Sequence, residues 1–184
     1  MRRCRRCPLW RTRTHAVPGE GSGDLGVVLV GEGPGVEEDL AGRPFVGRAG
    51  RLLDELLASI GVRRQEFYVT NVIKDRAASS TEPVRDRPPV PSELAACAPW
   101  LRSQIDLIRP RIVVTLGRFA LAAFLPNARI KDVHGRAQAC GDRTILPLYH
   151  PSYALRNPGV RPVLFRDMRA LAALLERAPG TGGR

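Results

Sequence analysis

Lysine is almost absent from this chain (Lys74 and Lys131 only), histidine occurs three times, and no apolar run is long. Each shortage narrows what the protein can be. No stretch approaches the ~20 apolar residues that span a bilayer. The arginine-rich start has no apolar segment behind it, so it does not read as a secretory signal, and a cytoplasmic location is the expectation. Without an export signal, disulfides are a poor reading of Cys4, Cys7, Cys97 and Cys140. A basic amphipathic helix that could lie on an anionic membrane is missing, so no membrane partner is expected. Acidic residues are too few to balance the basic ones, 18 against 29, and the net charge is +11. That excess is arginine scattered along the chain rather than gathered in one tail. So one-sided a surface points to a polyanionic partner, with nucleic acid first. Abundant arginine and proline beside scarce lysine hint at a GC-rich bacterial genome.

What is present is the composition of a soluble globular domain, 43% hydrophobic and 26% charged over 184 residues. Residues 1–25 are basic, then rich in Gly and Pro, and read as an extended arm. Val27–Val30 is a short buried strand, followed by a glycine-rich turn over Gly31–Gly35. Ala49–Ile60 carries apolar residues at helical spacing and ends at Gly61, a suitable C-cap. "EFYVTNVIK" is a second strand with Asn71 near its carboxyl end. Arg76–Pro91 reads as a loop. "SELAACAPWLRSQIDLI" is a helix with Ser92 as N-cap, interrupted by Pro99. "RIVVTLG" is a third strand and "RFALAAFL" the helix after it. "RTILPLYHPS" is a last strand ending at His150, and a helix over about 163–176 precedes a disordered tail, residues 179–184. Strands alternating with helices predict an α/β fold, a three-layer α/β/α sandwich around a mostly parallel, four-stranded sheet. No internal repeat is seen. This layout puts Gly31–Gly35, Asn71, Gly117 and His150 at carboxyl ends of strands, where open α/β sheets bind ligands.

Two motifs need separating from their commoner meanings. "GEGPGV" has the first two glycines of a dinucleotide fingerprint but Val36 in place of the third. Pro34 removes a backbone donor, and Glu37, Glu38 and Asp39 would face phosphate. The fingerprint fails, leaving either a tight turn before an acidic helix N-terminus or a site for something other than phosphate. "CRRC" could be a metal clip, a redox pair or chance. A redox pair normally opens a helix after a strand, so a metal or cluster clip is the better reading. It supplies two ligands, and the others must come from far along the chain.

Taken in order, "CRRC", "GEGPGVEEDLAGRPFVGRAG", "FYVTNVIK", "CAPWLRSQIDLIRPRIVVTLG" and "HPSYALRN" resemble the uracil-DNA glycosylase superfamily, most closely its iron–sulfur branch, family 4. The resemblance covers nearly the whole chain. It implies an arm over residues 1–25 carrying the first two cluster cysteines and a glycosylase domain over 26–178. The implied activity is a monofunctional DNA glycosylase, flipping uracil out of DNA and hydrolysing its N-glycosidic bond to leave an abasic site for base-excision repair. Its partner is uracil-containing DNA, single- or double-stranded. A monomer associated with the nucleoid is expected.

The resemblance also assigns roles. The turn at Gly31, Gly33 and Gly35 would present backbone N–H groups to the base. Glu32 would place the water or stabilise the sugar cation, and His150 would donate to uracil O2. Phe45 would stack on the ring, Glu38 would crowd its C5 side to exclude thymine, and Asn71 would read its edge. Ser152, Leu155 and Arg156 would enter the minor groove and fill the gap left by the flipped nucleotide. The cofactor implied is a structural iron–sulfur cluster of the 4Fe-4S type, with no catalytic metal. Cys4, Cys7 and Cys97 match three of its four cysteines. Asp75 stands where the other falls and is the candidate fourth ligand, since a carboxylate can ligate iron. A three-iron cluster, an outside ligand or a lost cluster are the alternatives; Cys140 matches no ligand.

Two other functions stay open at this point. A neighbouring branch crosslinks to the abasic sugar through a histidine in a basic inserted loop, but Arg76–Pro91 contains no histidine. A DNA-binding module without catalysis is the other, against which stand Glu32, Asn71 and His150.

Overall fold

A computed structural model of the chain describes residues 1–79 and 84–177. The expected tail at 179–184 lies outside the described residues. Five strands form one sheet: β1 (Val27–Gly31), β2 (Tyr68–Asn71), β3 (Ile112–Leu116), β4 (Gln138–Cys140) and β5 (Arg143–Leu148), in the order β2-β1-β3-β5-β4. The first four in that order are parallel, and β4 pairs antiparallel with β5 at the edge.

The sequence reading gave four strands, and β4 is the one it missed. It has three residues, none fully buried, and no apolar run to announce it. It exists because Gly141, at φ 60°, turns the chain back on itself and lets Gln138–Cys140 cover the outer edge of β5.

β1 and β3 are buried along their whole length because both faces of the sheet are covered. One face packs Val27, Leu29, Val69, Val114, Leu116, Leu146 and Leu148 against three helices. These are α2 (Arg48–Ala58), α6 (Pro151–Arg156) and α7 (Arg161–Arg177). The other face packs Val28, Val30, Val113 and Ile145 against α3 (Pro91–Ile108) and α4 (Arg118–Ala122). That is the predicted three-layer arrangement. Two short helices, α1 (Val36–Ala41) and α5 (Ile130–Val133), sit in the connections after β1 and α4.

Helix ends differ in detail from the sequence reading. α3 begins one residue before Ser92. Its N-cap is Val90, whose N–H donates to the Glu93 carboxylate at 2.9 Å, with Pro91 pre-set for the first turn. The helix runs through Pro99 rather than breaking there. The arm is extended only in part: Pro8–Arg11 forms a 3-10 turn, Leu9 and Val17 are buried, and Glu20 bridges to Val69 beside β2. Asp39 of α1 holds it in place, accepting the N–H groups of Thr14 and His15.

The connections jump from β2 back across β1 to β3, so the strand order reverses between β1 and β3. A crevice opens at the carboxyl ends of strands at such a point.

Candidate functional site

A cleft of about 1030 Å³ opens at that crevice. Glu32, Gly33, Gly35, Glu38, Phe45, Asn71, His150, Ser152, Leu155 and Arg156 all line it. Of the residues assigned to the site, Gly31 alone stands back from the wall. A Cβ there would lie 2.4 Å from Asn71 Oδ1 and 2.5 Å from Phe45 Cζ. Glycine at 31 therefore makes room for the Asn71 and Phe45 side chains. Gly33 does the same for Ile73, whose Cγ1 would meet a Cβ at 2.6 Å.

The pairing of β1 with β2 sets Gly31 opposite Asn71. Asn71 is buried, and its Oδ1 has no hydrogen-bond partner among the described residues. An orphaned buried acceptor costs roughly 1–3 kcal/mol, so it marks a place where a donor from outside belongs. Behind Asn71 lies a buried polar network the sequence did not announce. Lys74 is 1% exposed, and its Nζ donates to Asn71 O at 2.6 Å, Thr70 Oγ1 at 2.6 Å and Gln104 Oε1 at 2.7 Å. Burial lowers Lys74 to about 7. Thr70 Oγ1 and Gln104 Nε2 pass the network on to Pro18 O of the arm.

His150 caps α6. Its Nδ1 accepts the Ser152 N–H at 3.1 Å and lies 2.8 Å from Ser152 Oγ. A backbone N–H can only donate, so Nδ1 is the acceptor and the neutral ring carries its proton on Nε2. The ring keeps some exposure at the cleft wall but is desolvated around its nitrogens. That burial, with the Arg156 charge beside it, lowers His150 to about 4. At neutral pH it is an uncharged Nε2–H donor. The Phe45 ring stacks against it with centroids 5.7 Å apart at 27°.

Burial raises the Glu32 carboxyl, and Arg118 and Arg156 pull it back down. Glu38 has both oxygens pinned: Oε2 accepts the Gly35 N–H at 3.1 Å and Oε1 the Gly47 N–H at 2.8 Å. Its wall of the cleft is therefore braced on two backbone segments. Ser152 is committed to His150, whereas Leu155 packs against the core beneath α6. Around the same cleft stand Arg48, Arg118, Arg129 and Lys131 with Arg156. Scattered over four helices, with Arg129 capping one of them, this cationic rim has no local sequence signal beyond the overall charge.

The proposed cluster donors divide. Cys97 lies in a small buried patch with Leu9, Ile73 and Ala77, against which Cys7 and Trp100 pack. Trp100 Nε1–H donates to Cys4 Sγ at 3.4 Å, and Lys74 N–H to Cys97 Sγ at 3.3 Å. Burial pushes the Cys97 thiol up to about 11 and raises Cys7 as well. Asp75 lies near enough for its charge to raise both thiols further, and both its oxygens take Arg13 Nη1, at 3.0 and 2.8 Å. Among the described residues, no group of three or more His, Cys, Asp or Glu side chains could hold a metal ion. As it stands, Asp75 is engaged by Arg13 and not by the three thiols. Cys140 lies apart, its thiol donating to Phe124 O at 3.8 Å.

Comparison with known proteins bears on the same residues. The pattern of the Uracil DNA glycosylase superfamily matches residues 18–173. A type-4 uracil-DNA glycosylase of Thermotoga maritima is 41% identical over 182 residues, spanning 96% of this chain and 92% of its own. A type-4 uracil-DNA glycosylase of Archaeoglobus fulgidus is 40% identical, spanning 93% and 87%. A type-5 uracil-DNA glycosylase of Thermus thermophilus is 33% identical, spanning 79% and 71%.

Proposed function

The chain belongs to the uracil DNA glycosylase superfamily, and from that premise we infer that it is a uracil-DNA glycosylase working through the cleft described above. It hydrolyses the N-glycosidic bond of uracil in DNA, a repair reaction.

The observation that carries the residue roles is the orphaned acceptor of Asn71 at the cleft floor. Uracil presents N3–H and O4 on one edge, and the carboxamide answers with an acceptor and a donor. Cytosine reverses both groups, so the buried acceptor would face a lone pair. Phe45 supplies the stacking face. The wall at Glu38, pinned to Gly35 and Gly47, cannot swing aside to admit the methyl group of thymine.

In the reaction the C1′–N1 bond breaks, and its electron pair passes into the uracil ring toward O2. His150, neutral with Nε2–H as donor, meets the charge growing on O2 without surrendering a proton. The Glu32 carboxylate stabilises the oxocarbenium-like sugar and receives a proton as water oxygen bonds to C1′. Arg48, Arg118, Arg129, Lys131 and Arg156 take the DNA phosphates around the cleft. The acids at the mouth thus serve a cationic sugar and a neutral base, while phosphate is met by the rim. Cys4, Cys7 and Cys97 would be the soft donors to an iron–sulfur group of structural role, and no step above uses it.

The test is release of free uracil from a uracil-containing oligonucleotide by the purified protein, with Asn71→Ala and His150→Ala beside it. Loss of release in both variants supports the roles; wild-type rates in both would sink them.

A further inference from the structure

The Phe45 ring has a specific position because its backbone has an unusual one. At φ 52° it is one of two non-glycine residues in the left-handed region among those described. A phenylalanine stays there only when its surroundings over-determine it. Three contacts do so. The side chain fills the slot between Gly31 and the His150 ring. The carbonyl oxygen lies against α2, where a Cβ on Gly50 would stand 1.7 Å from it. The third contact is Arg64, in the short 3-10 turn Arg64–Glu66 before β2. Its Nη1 donates to Phe45 O at 2.6 Å, and its Nη2 donates to Pro44 O.

Arg64 is not among the residues lining the cleft. Its side chain is 18% exposed, its Nε is buried without a partner among the described residues, and its fork is backed by Glu20 and Asp54, each at 3.4 Å. A surface arginine serving charge alone would turn Nε to water and leave backbone carbonyls free. This one gives its best hydrogen bonds to two consecutive carbonyls, a task suited to the planar guanidinium and not to a lysine ammonium.

We propose that Arg64 is the positioning residue for Phe45, clamping the carbonyls of Pro44 and Phe45 so that the ring is held as the stacking face of the base pocket. The inference rests on the proposed function, because it assumes that a base stacks there.

Free uracil, used as an inhibitor, probes that pocket without the DNA rim. Arg64→Met should weaken inhibition by free uracil about tenfold, within the range for loss of a stacking contact. It should lower kcat/KM for uracil-DNA by a similar factor, while binding to an oligonucleotide with an abasic-site analogue stays within about twofold. Phe45→Ala should give a similar loss, and the double variant little more, because the clamp acts only through the ring. Arg64→Lys keeps the charge beside Glu20 and Asp54 but not the fork. It should fall between, and it carries the test if Arg64→Met does not fold. Wild-type inhibition in both Arg64 variants, fully additive losses, or an equal loss of abasic-site binding would overturn the clamp. If the wild-type protein releases no uracil, the proposed function fails first and the clamp's role with it. An active wild type with indifferent Arg64 variants refutes the clamp alone.

Discussion

Lowering the pH from 8 to 4 separates two ways His150 could work. Its Nδ1 is occupied by the Ser152 N–H, and its ring is brought to about 4 by burial and by Arg156. The drop from 6.5 to about 4 corresponds to about 3 kcal/mol against the imidazolium. At pH 7 about one molecule in a thousand carries the charged ring. Single-turnover uracil release should therefore show no step at 6.5, where a free imidazole would titrate. It should then fall as Glu32, raised by burial, gains its proton, and fall further as His150 gains one near 4. Stability follows the same sign. The unfolded imidazole binds a proton near 6.5 and the folded one only near 4, so the contribution is full above 6.5, declines as pH falls through that window and is spent below about 4. His150→Gln keeps a donor that cannot titrate. It should slow release by about 10- to 100-fold at pH 7 and flatten the stability loss between 6.5 and 4. A rate that rises as pH falls through 6.5, the mark of a protonated imidazole, would refute the argument.

Other outcomes can be checked on the same protein. Asn71→Leu removes the orphaned Oδ1 and should abolish release while leaving the melting temperature unchanged or higher, as calorimetry would record. The Arg13–Asp75 pair has side-chain exposures of 11% and 8%, so Arg13→Met should cost about 3 kcal/mol in denaturant unfolding. Asp75→Cys adds a thiol near Cys4, Cys7 and Cys97; iron bound per chain should rise over the parent, and an unchanged content would exclude that position as a ligand site. Lys131→Ala should weaken DNA binding evenly across sequences and reduce the salt slope by about one, measured by anisotropy. A denaturing gel with uracil-DNA should show no persistent shifted band, since residues 76–91 contain no histidine to trap the sugar.

The sequence made the layers legible because Val27–Val30 and Ile112–Val114 are unbroken apolar runs, as doubly covered strands are. It put Asn71 and His150 at the carboxyl ends of strands because each closes a β-prone run, Tyr68–Thr70 and Ile145–Leu148. β4 escaped because three half-covered residues carry no period. The supports of the site were hidden for a different reason. Lys74 reads as a charge trailing a strand, and Arg64 as one of a surface run, until tertiary contact gives one the carbonyl of Asn71 and the other those of Pro44 and Phe45. The pairing of Asp75 with Arg13 was equally hidden, since the two lie 62 residues apart and no local pattern links them.

The central claim is that this cleft removes uracil by reading its edge through Asn71 and stabilising its departure through His150. Purified protein with oligonucleotides containing a single uracil, thymine or cytosine, assayed for free base and abasic sites, tests it most directly. The account predicts free uracil and an alkali-labile site from the uracil strand, and nothing from the other two. Intact uracil strands under conditions where the protein binds the DNA, or release of thymine or cytosine at comparable rates, would contradict it.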